Sequence, residues 1–260
     1  MKRKLHGCRA IVTGASSGIG RATSLELARS GVALVVVARR EDRLRELTDQ
    51  IASLGGKAEA VVGDVTDPSV RQSAIDTARD KLGGLDILVN NAGVGAMGLF
   101  MDADPERVRR LMEVNFFALV EMTRLAVPLL QKGNRPIIVN VSSILGHRGV
   151  PYSSEYAATK FAVQGFSESI RAEFTKLGID VLVISPGTTE TEFFDRVIER
   201  TADPKWPEHK PISAAEVARQ IVRAIRKGKH EIIPYLWGRV LCRMNRLSPG
   251  LVDRLMSRYV

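Results

Sequence analysis

CRAIVTGASSGIGRATSLELARS, residues Cys8 to Ser30, places an apolar strand, a glycine turn and a helix in immediate succession. Cys8 to Thr13 is a short apolar run of the kind buried in a parallel sheet, and Arg21 to Ser30 carries helical spacing. That succession brings the N–H groups of a helix N-terminus to a point where an anion can approach. The glycines are Gly14, Gly18 and Gly20, spaced G-x-x-x-G-x-G rather than G-x-G-x-x-G. Gly14 permits the turn, Gly18 lets the backbone approach a pyrophosphate, and Gly20 lets the helix pack close to the strand. Taken alone, the same residues also describe a Gly/Ser turn with no ligand. No Gly-Lys-Ser/Thr follows, so this is not the loop that cradles a nucleoside triphosphate.

Outward from this unit the alternation continues. Ala33 to Ala38 (ALVVVA) is a second buried strand, ending at Arg39 and Arg40. An acidic residue here would accept from ribose hydroxyls; Ala38 takes that place, and Arg39, with help from Arg40, suits an extra ribose phosphate. Two arginines before a helix are also an ordinary solvated helix start. Glu41 to Leu54 is amphipathic, with Leu44, Leu47, Ile51 and Leu54 on one face. Lys57 to Val62 forms a third strand, and Asp64 and Val65 follow at its carboxyl end, where ligands of open α/β sheets bind. Asp67-Pro68 is a helix cap with proline in the first turn. Leu85 to Asn90 runs into Asn90-Asn91-Ala92-Gly93, and Asp104-Pro105 opens a long helix containing Asn115. An asparagine there is unfavourable unless its side chain bonds something, because it competes with the backbone. Pro136–Val141, Ile179–Ile184 and His230–Ile233 read as the remaining strands. Thr188 to Pro211, with Phe193, Phe194 and Trp206, reads as a lid.

The reactive groups lie in Val141 to Lys160, VSSILGHRGVPYSSEYAATK. From Glu155 the apolar spacing is helical, so Tyr156 and Lys160 are neighbours on one helix face. A phenol with an ordinary pKa of about 10 is a poor acid at neutral pH. A fixed ammonium beside it favours the phenolate, and Ser143, just after a strand, can bond the same substrate oxygen. An isolated Tyr-x-x-x-Lys is more often an exposed helix pair; its neighbours decide the matter.

Composition fits one sizeable domain: 45% hydrophobic and 26% charged residues, with only 5% aromatic. Cys8 and Cys242, the two cysteines, form neither a disulfide framework nor a metal cluster. The basic start lacks a secretory apolar run, and no stretch approaches the roughly 20 apolar residues of a spanning helix. Together these predict a cytoplasmic protein.

Thr13-Gly14-x-x-x-Gly18-x-Gly20, Asp64, Asn90-Asn91-Ala92-Gly93, Asn115, Ser143, Tyr156-x-x-x-Lys160 and Pro186-Gly187 occur in one order along the chain. In that order and context the sequence resembles the short-chain dehydrogenase/reductase family, in its short single-domain form, from about Leu5 to Ile233. The resemblance implies a doubly wound Rossmann-type α/β domain with a seven-stranded parallel sheet and helices on both faces. It implies NADP(H), less readily NAD, and interconversion of a carbonyl and an alcohol by hydride transfer. Tyr156 would be the general acid or base, Ser143 would polarise the substrate oxygen, and Lys160 would hold the nicotinamide ribose and lower the Tyr156 pKa. Asn115 would anchor a relay water. Cofactor contacts would come from Gly14, Ser16, Ser17, Gly18, Ile19 and Gly20 in the first turn. Arg39, Arg40, Asp64 and Val65 would meet the adenosine end, and Asn91, Ala92 and Gly93 the middle. Tyr156, Lys160, Pro186, Gly187, Thr189 and Thr191 would meet the nicotinamide end; no metal is implied. Many NADP-preferring relatives place a basic residue where this chain has Ser17. An apolar substrate follows if Met97, Leu99, Leu145, Val150, Tyr152, Phe193 and Phe194 line a pocket. A cofactor-binding sensor without turnover is the alternative, and an intact Asn115, Ser143, Tyr156 and Lys160 argue against it.

The domain is expected to span residues 1–234 with its lid at about 188–211, followed by a basic tail over 235–260. Net charge is +9, and from Arg219 onward there are ten Lys/Arg against two Asp/Glu. No groove-reading motif accompanies this charge, so nucleic acid is not the expected partner. Leu236, Trp237, Val240, Leu241, Met244 and Leu247 form one helical stripe opposite Arg239, Arg243 and Arg246. It is expected to fold back on the lid or on a partner subunit, with contact to an anionic membrane as the alternative. The apolar helix around Asn115 and the alanines of the Tyr156 helix predict a homodimer or homotetramer.

Overall fold

The computed structural model describes residues 3–202 and 210–259. Val, Ile, Leu and Ala on successive positions leave neither side of the central strands polar, the pattern of a sheet covered on both faces. The strands are β1 (Arg9–Thr13), β2 (Ala33–Ala38), β3 (Ala58–Val62), β4 (Ile87–Asn90), β5 (Ile137–Val141), β6 (Asp180–Ile184) and β7 (Glu231–Ile232). Their order is β3-β2-β1-β4-β5-β6-β7, and every pairing is parallel. The order reverses between β1 and β4, where an open α/β sheet presents its ligand crevice.

Alternate strand residues feed two cores. Val12, Val36 and Val139 pack with α1 (Gly18–Arg29), α2 (Glu41–Ser53) and α7 (Ala214–Lys227). Ile11, Val35 and Ile138 pack with α3 (Pro68–Leu82), α5 (Ala118–Leu130) and α6 (Ser154–Glu173). The expected cap is present: Asp67 accepts from the Ser69 N–H at 2.8 Å, with Pro68 opening α3.

Three elements differ in detail from the sequence reading. Helix α1 begins at Gly18, inside the glycine turn, three residues earlier than Arg21. The long helix around Asn115 is not continuous: α4 (Arg107–Met112) passes through a π-helical turn, Glu113–Phe117, before α5. The lid is tied at its base, because Thr189–Glu190 pairs in parallel with Ile212–Ser213. Trp206 lies outside the described residues.

The tail forms α8 (Leu236–Leu247) and α9 (Pro249–Met256). The packed face of α8 is not the predicted stripe. Gly238 and Cys242 are buried and Leu241 and Met244 half-buried, whereas Leu236, Trp237, Val240 and Leu247 are exposed. Gly238 explains the rotation: a Cβ there would lie 2.7 Å from Ile144 Cγ2, so the helix approaches the Ser143 loop along its glycine side. Arg148 fastens the tail by donating to Asp253 at 2.6 Å and to Asn245 at 3.1 Å. Phe117 and Phe161 remain exposed on the π turn and α6. No helix among the described residues is long and apolar enough to cross a membrane.

Candidate active site

A cleft of about 500 Å³ runs along the carboxyl ends of the strands at the reversal point. Its first end is made by backbone pressed against backbone. Gly14 has φ +65°, and a Cβ there would sit 2.8 Å from Ala92 Cα. Gly20 has no room either, with Gly14 O and Asn91 Nδ2 both 2.4 Å from a Cβ position. Thr13 Oγ1 accepts from the N–H groups of Asn91 and Ala92 at 3.0 Å each. The Asn91 amide donates back to Thr13 O at 3.0 Å and Gly14 O at 3.2 Å. Asn91 borders the cleft, and its side-chain amide holds the turn.

Ser17, the residue before α1, makes no capping bond to the helix; its hydroxyl accepts from Arg40 Nη2 at 2.6 Å instead. A glycine at 18 leaves open the space a side chain would fill against Thr191 Cγ2, 3.0 Å away. This uncapped helix start and glycine cradle fit a dinucleotide pyrophosphate. Ser16, Ile19, Arg39, Arg40, Asp64 and Val65 continue the same wall. Asp64 Oδ1 is held by the Thr66 N–H at 3.0 Å.

The other end brings Ser143, Tyr156 and Lys160 together with Ala92, Gly93, Pro186, Gly187, Thr189 and Thr191. Lys160 Nζ donates to Val141 O at 3.0 Å and lies 5.7 Å from the Tyr156 ring centroid. Burial pushes the Lys160 pKa down to about 8. Tyr156 departs from expectation. Burial raises its pKa, and the neighbouring Ser143 side chain opposes that rise. The lysine stands over the ring and donates to the Val141 carbonyl.

Asn115 and Gly20 do not line the cleft. The Asn115 side chain clasps the backbone of Val94, accepting from its N–H at 2.8 Å and donating to its carbonyl at 2.9 Å. It also donates to Thr159 Oγ1 at 3.0 Å. Its amide thus joins the strand-four loop to the Tyr156 helix, which answers why an asparagine tolerates this position.

Of the proposed substrate wall, Met97, Leu145, Phe193 and Phe194 line the cleft, and Leu99, Val150 and Tyr152 do not. Phe193 packs on Tyr156 with centroids 5.6 Å apart. Val94, Gly95, Ala96 and Val197 complete the wall. The sequence reading missed them because small residues in a loop carry no periodic signal. It also missed Arg107, 2% exposed, which pairs with Glu155 beside Tyr156 and with Glu199 of the lid at 2.8 Å. An arginine at the start of an amphipathic helix looks solvated in sequence.

Residues 9–202 match the sequence model described as short chain dehydrogenase. The 11-beta-hydroxysteroid dehydrogenase-like 4A of Arabidopsis thaliana is 37% identical over 254 residues, covering 96% of this chain and 83% of that protein. The uncharacterized oxidoreductase YxnA of Bacillus subtilis is 34% identical over 264 residues, covering 99% and 74%. Among solved structures, a short chain dehydrogenase/reductase from Burkholderia phymatum in complex with NAD superposes with TM-score 0.87 at 24% identity, over 96% of both chains. A short chain dehydrogenase from Burkholderia cenocepacia J2315 in complex with NADP gives 0.79 at 28% identity, over 89% of this chain and 97% of that one. The chain belongs to the short-chain dehydrogenase family. It is an oxidoreductase of that type, acting on carbonyl or alcohol groups with a nicotinamide dinucleotide cofactor.

Proposed function

We propose that the protein is an NADP(H)-dependent oxidoreductase that interconverts an apolar ketone or aldehyde with its alcohol, using Tyr156 as the proton donor and acceptor. The observation that carries this reading is the meeting of Ser143, Tyr156 and Lys160 at one end of a cleft walled by Met97, Leu145, Phe193, Phe194 and Val197. The cofactor supplies the hydride. Ser143 donates to the substrate oxygen and orients it. The raised Tyr156 pKa keeps the phenol protonated at neutral pH, which suits the donor in carbonyl reduction. Lys160, with a pKa near 8, can return a proton to the phenolate. Asn115 serves by fixing Val94 and Thr159, which ties the loop after β4 to the helix that carries Tyr156 and Lys160. Arg40 and Arg39 receive the ribose phosphate, with Gly14, Ser16, Ser17, Gly18 and Ile19 on the pyrophosphate side.

Tyr156→Phe keeps the ring and removes the proton. Turnover should fall by at least roughly 100-fold with cofactor binding retained. The assay is NADPH oxidation over a panel of apolar ketones, beginning with steroids because of the Arabidopsis relative's name. Near-wild-type turnover by the variant would refute the acid–base role.

A further inference from the structure

The end of the cleft that should select NADP holds two arginines and, equally close, two carboxylates. Arg39 Nη1 stands 3.6 Å from Asp64 Oδ2, with the arginine side chain 70% exposed. Arg40 is better fixed. Its Nη1 donates to Glu192 Oε2 at 2.9 Å. Its Nη2 donates to Ser17 Oγ at 2.6 Å and Ser16 Oγ at 3.0 Å, and its Nε to Ser16 Oγ at 3.2 Å. Glu192 reaches Arg40 from across the cleft, from the first limb of the lid. The adjacent Thr191 rests against Gly18, and the pairing of Thr189–Glu190 with Ile212–Ser213 anchors the limb. The formal charge of these four side chains is zero.

We infer that Glu192 sets the cofactor discrimination of this enzyme by competing with the ribose 2′-phosphate for Arg40. The inference rests on the reading that Arg40 receives that phosphate. A 2′-phosphate brings about −1.5 to −2 charges to the guanidinium. It meets Glu192 there already, so the carboxylate either leaves Arg40 or repels the phosphate beside it. NAD carries a hydroxyl at the same atom and asks for no such exchange. Counting arginines after the second strand therefore overstates the preference for NADP, because the opposing carboxylate comes from a residue 152 positions away. The two serines keep Arg40 aimed across the glycine turn whether or not Glu192 is engaged.

The test is direct binding of NADPH and NADH to the full-length wild type, Glu192→Gln, Arg40→Ala, Arg39→Ala and the Arg40→Ala/Glu192→Gln double variant, by titration calorimetry. Glutamine keeps an acceptor for Arg40 and removes the charge. Because the pair is partly exposed, Glu192→Gln should tighten NADPH by roughly threefold to fivefold and leave NADH nearly unchanged. In the Arg40→Ala background the selective gain should vanish. Weaker NADPH binding by Glu192→Gln, equal changes for both cofactors, or the same gain without Arg40 would each overturn the inference. If Arg40→Ala lowers the NADPH preference but Glu192→Gln does not raise it, the competition alone is wrong. If neither arginine variant changes the NADPH-to-NADH ratio, the NADP reading falls and the competition with it.

Discussion

The two ends of the cleft are held by different kinds of force. At the cofactor end the chain is fitted against itself: Gly14 against Ala92, Gly20 against Gly14, and Thr13 against the Asn91 and Ala92 amides. The Arg40–Glu192 pair crosses this end as well, but it is partly exposed. At the reaction end, position is set by charge and polar clasps, with Arg107 between Glu155 and Glu199, Lys160 on Val141 O, and Asn115 on Val94. The first end should tolerate no added atom, and the second should tolerate no lost partner.

The sharpest way to break that contrast is Arg107→Ala. The change leaves the buried Glu155 without its cation and the half-buried Glu199 with the longer contact to Arg110 at 3.8 Å. Removing one partner from a buried charge cluster costs about 3–5 kcal/mol. Urea unfolding should register a loss of that size, and any folded fraction should show a raised KM as the lid limb at Glu199 comes away. A loss below about 1 kcal/mol would mean that water already relieves these carboxylates, and the contrast would be lost.

Gly20→Ala probes the opposite end. Its methyl has to displace a backbone carbonyl, and overpacking of this kind costs about 1–3 kcal/mol. NADPH and NADH affinity should fall together, since the disturbed turn lies under the part common to both. A variant as stable as the wild type would show that the turn relaxes more easily than its contacts suggest.

The smallest effect to resolve is a pH dependence. Lys160 is held near 8, below the ordinary 10.5, so the unfolded chain binds more protons than the folded one between those values. Its burial therefore penalises folding below about pH 8, and the penalty lifts as pH rises toward 10.5. The sign is isolated by comparing wild type with Lys160→Met. Wild-type stability should gain on the variant by on the order of 1–3 kcal/mol from about pH 7 to about pH 10. A flat difference would place the ammonium in water rather than in the protein.

The sheet and its helices were legible because their signals are local and redundant: apolar runs, a capped helix at Asp67-Pro68, and a glycine turn between strand and helix. Most of the cleft lining was legible through the same motifs. What escaped were the partners reached across distance. Glu192, Glu199 and Arg107 each look like solvated charge in their own neighbourhoods, and only the closing of the lid onto the sheet makes them pairs. The tail shows a related failure. Its apolar stripe has helical spacing, but a single glycine against Ile144 outweighed that spacing in choosing the packed face.

The π turn at Glu113–Phe117 has a consequence for how this chain can vary in length. Each residue of a helix advances the side chains by about 100° around its axis. Forcing this turn into ordinary α geometry with the residue count unchanged would turn α4 against α5 by about that angle. Either Arg107 would leave its carboxylates or Met122 and Ala126 would leave the sheet, while Asn115 would swing off Val94. The wide turn takes up one residue more than an α turn would, so a single deletion within it restores an α turn with α4 and α5 still in phase.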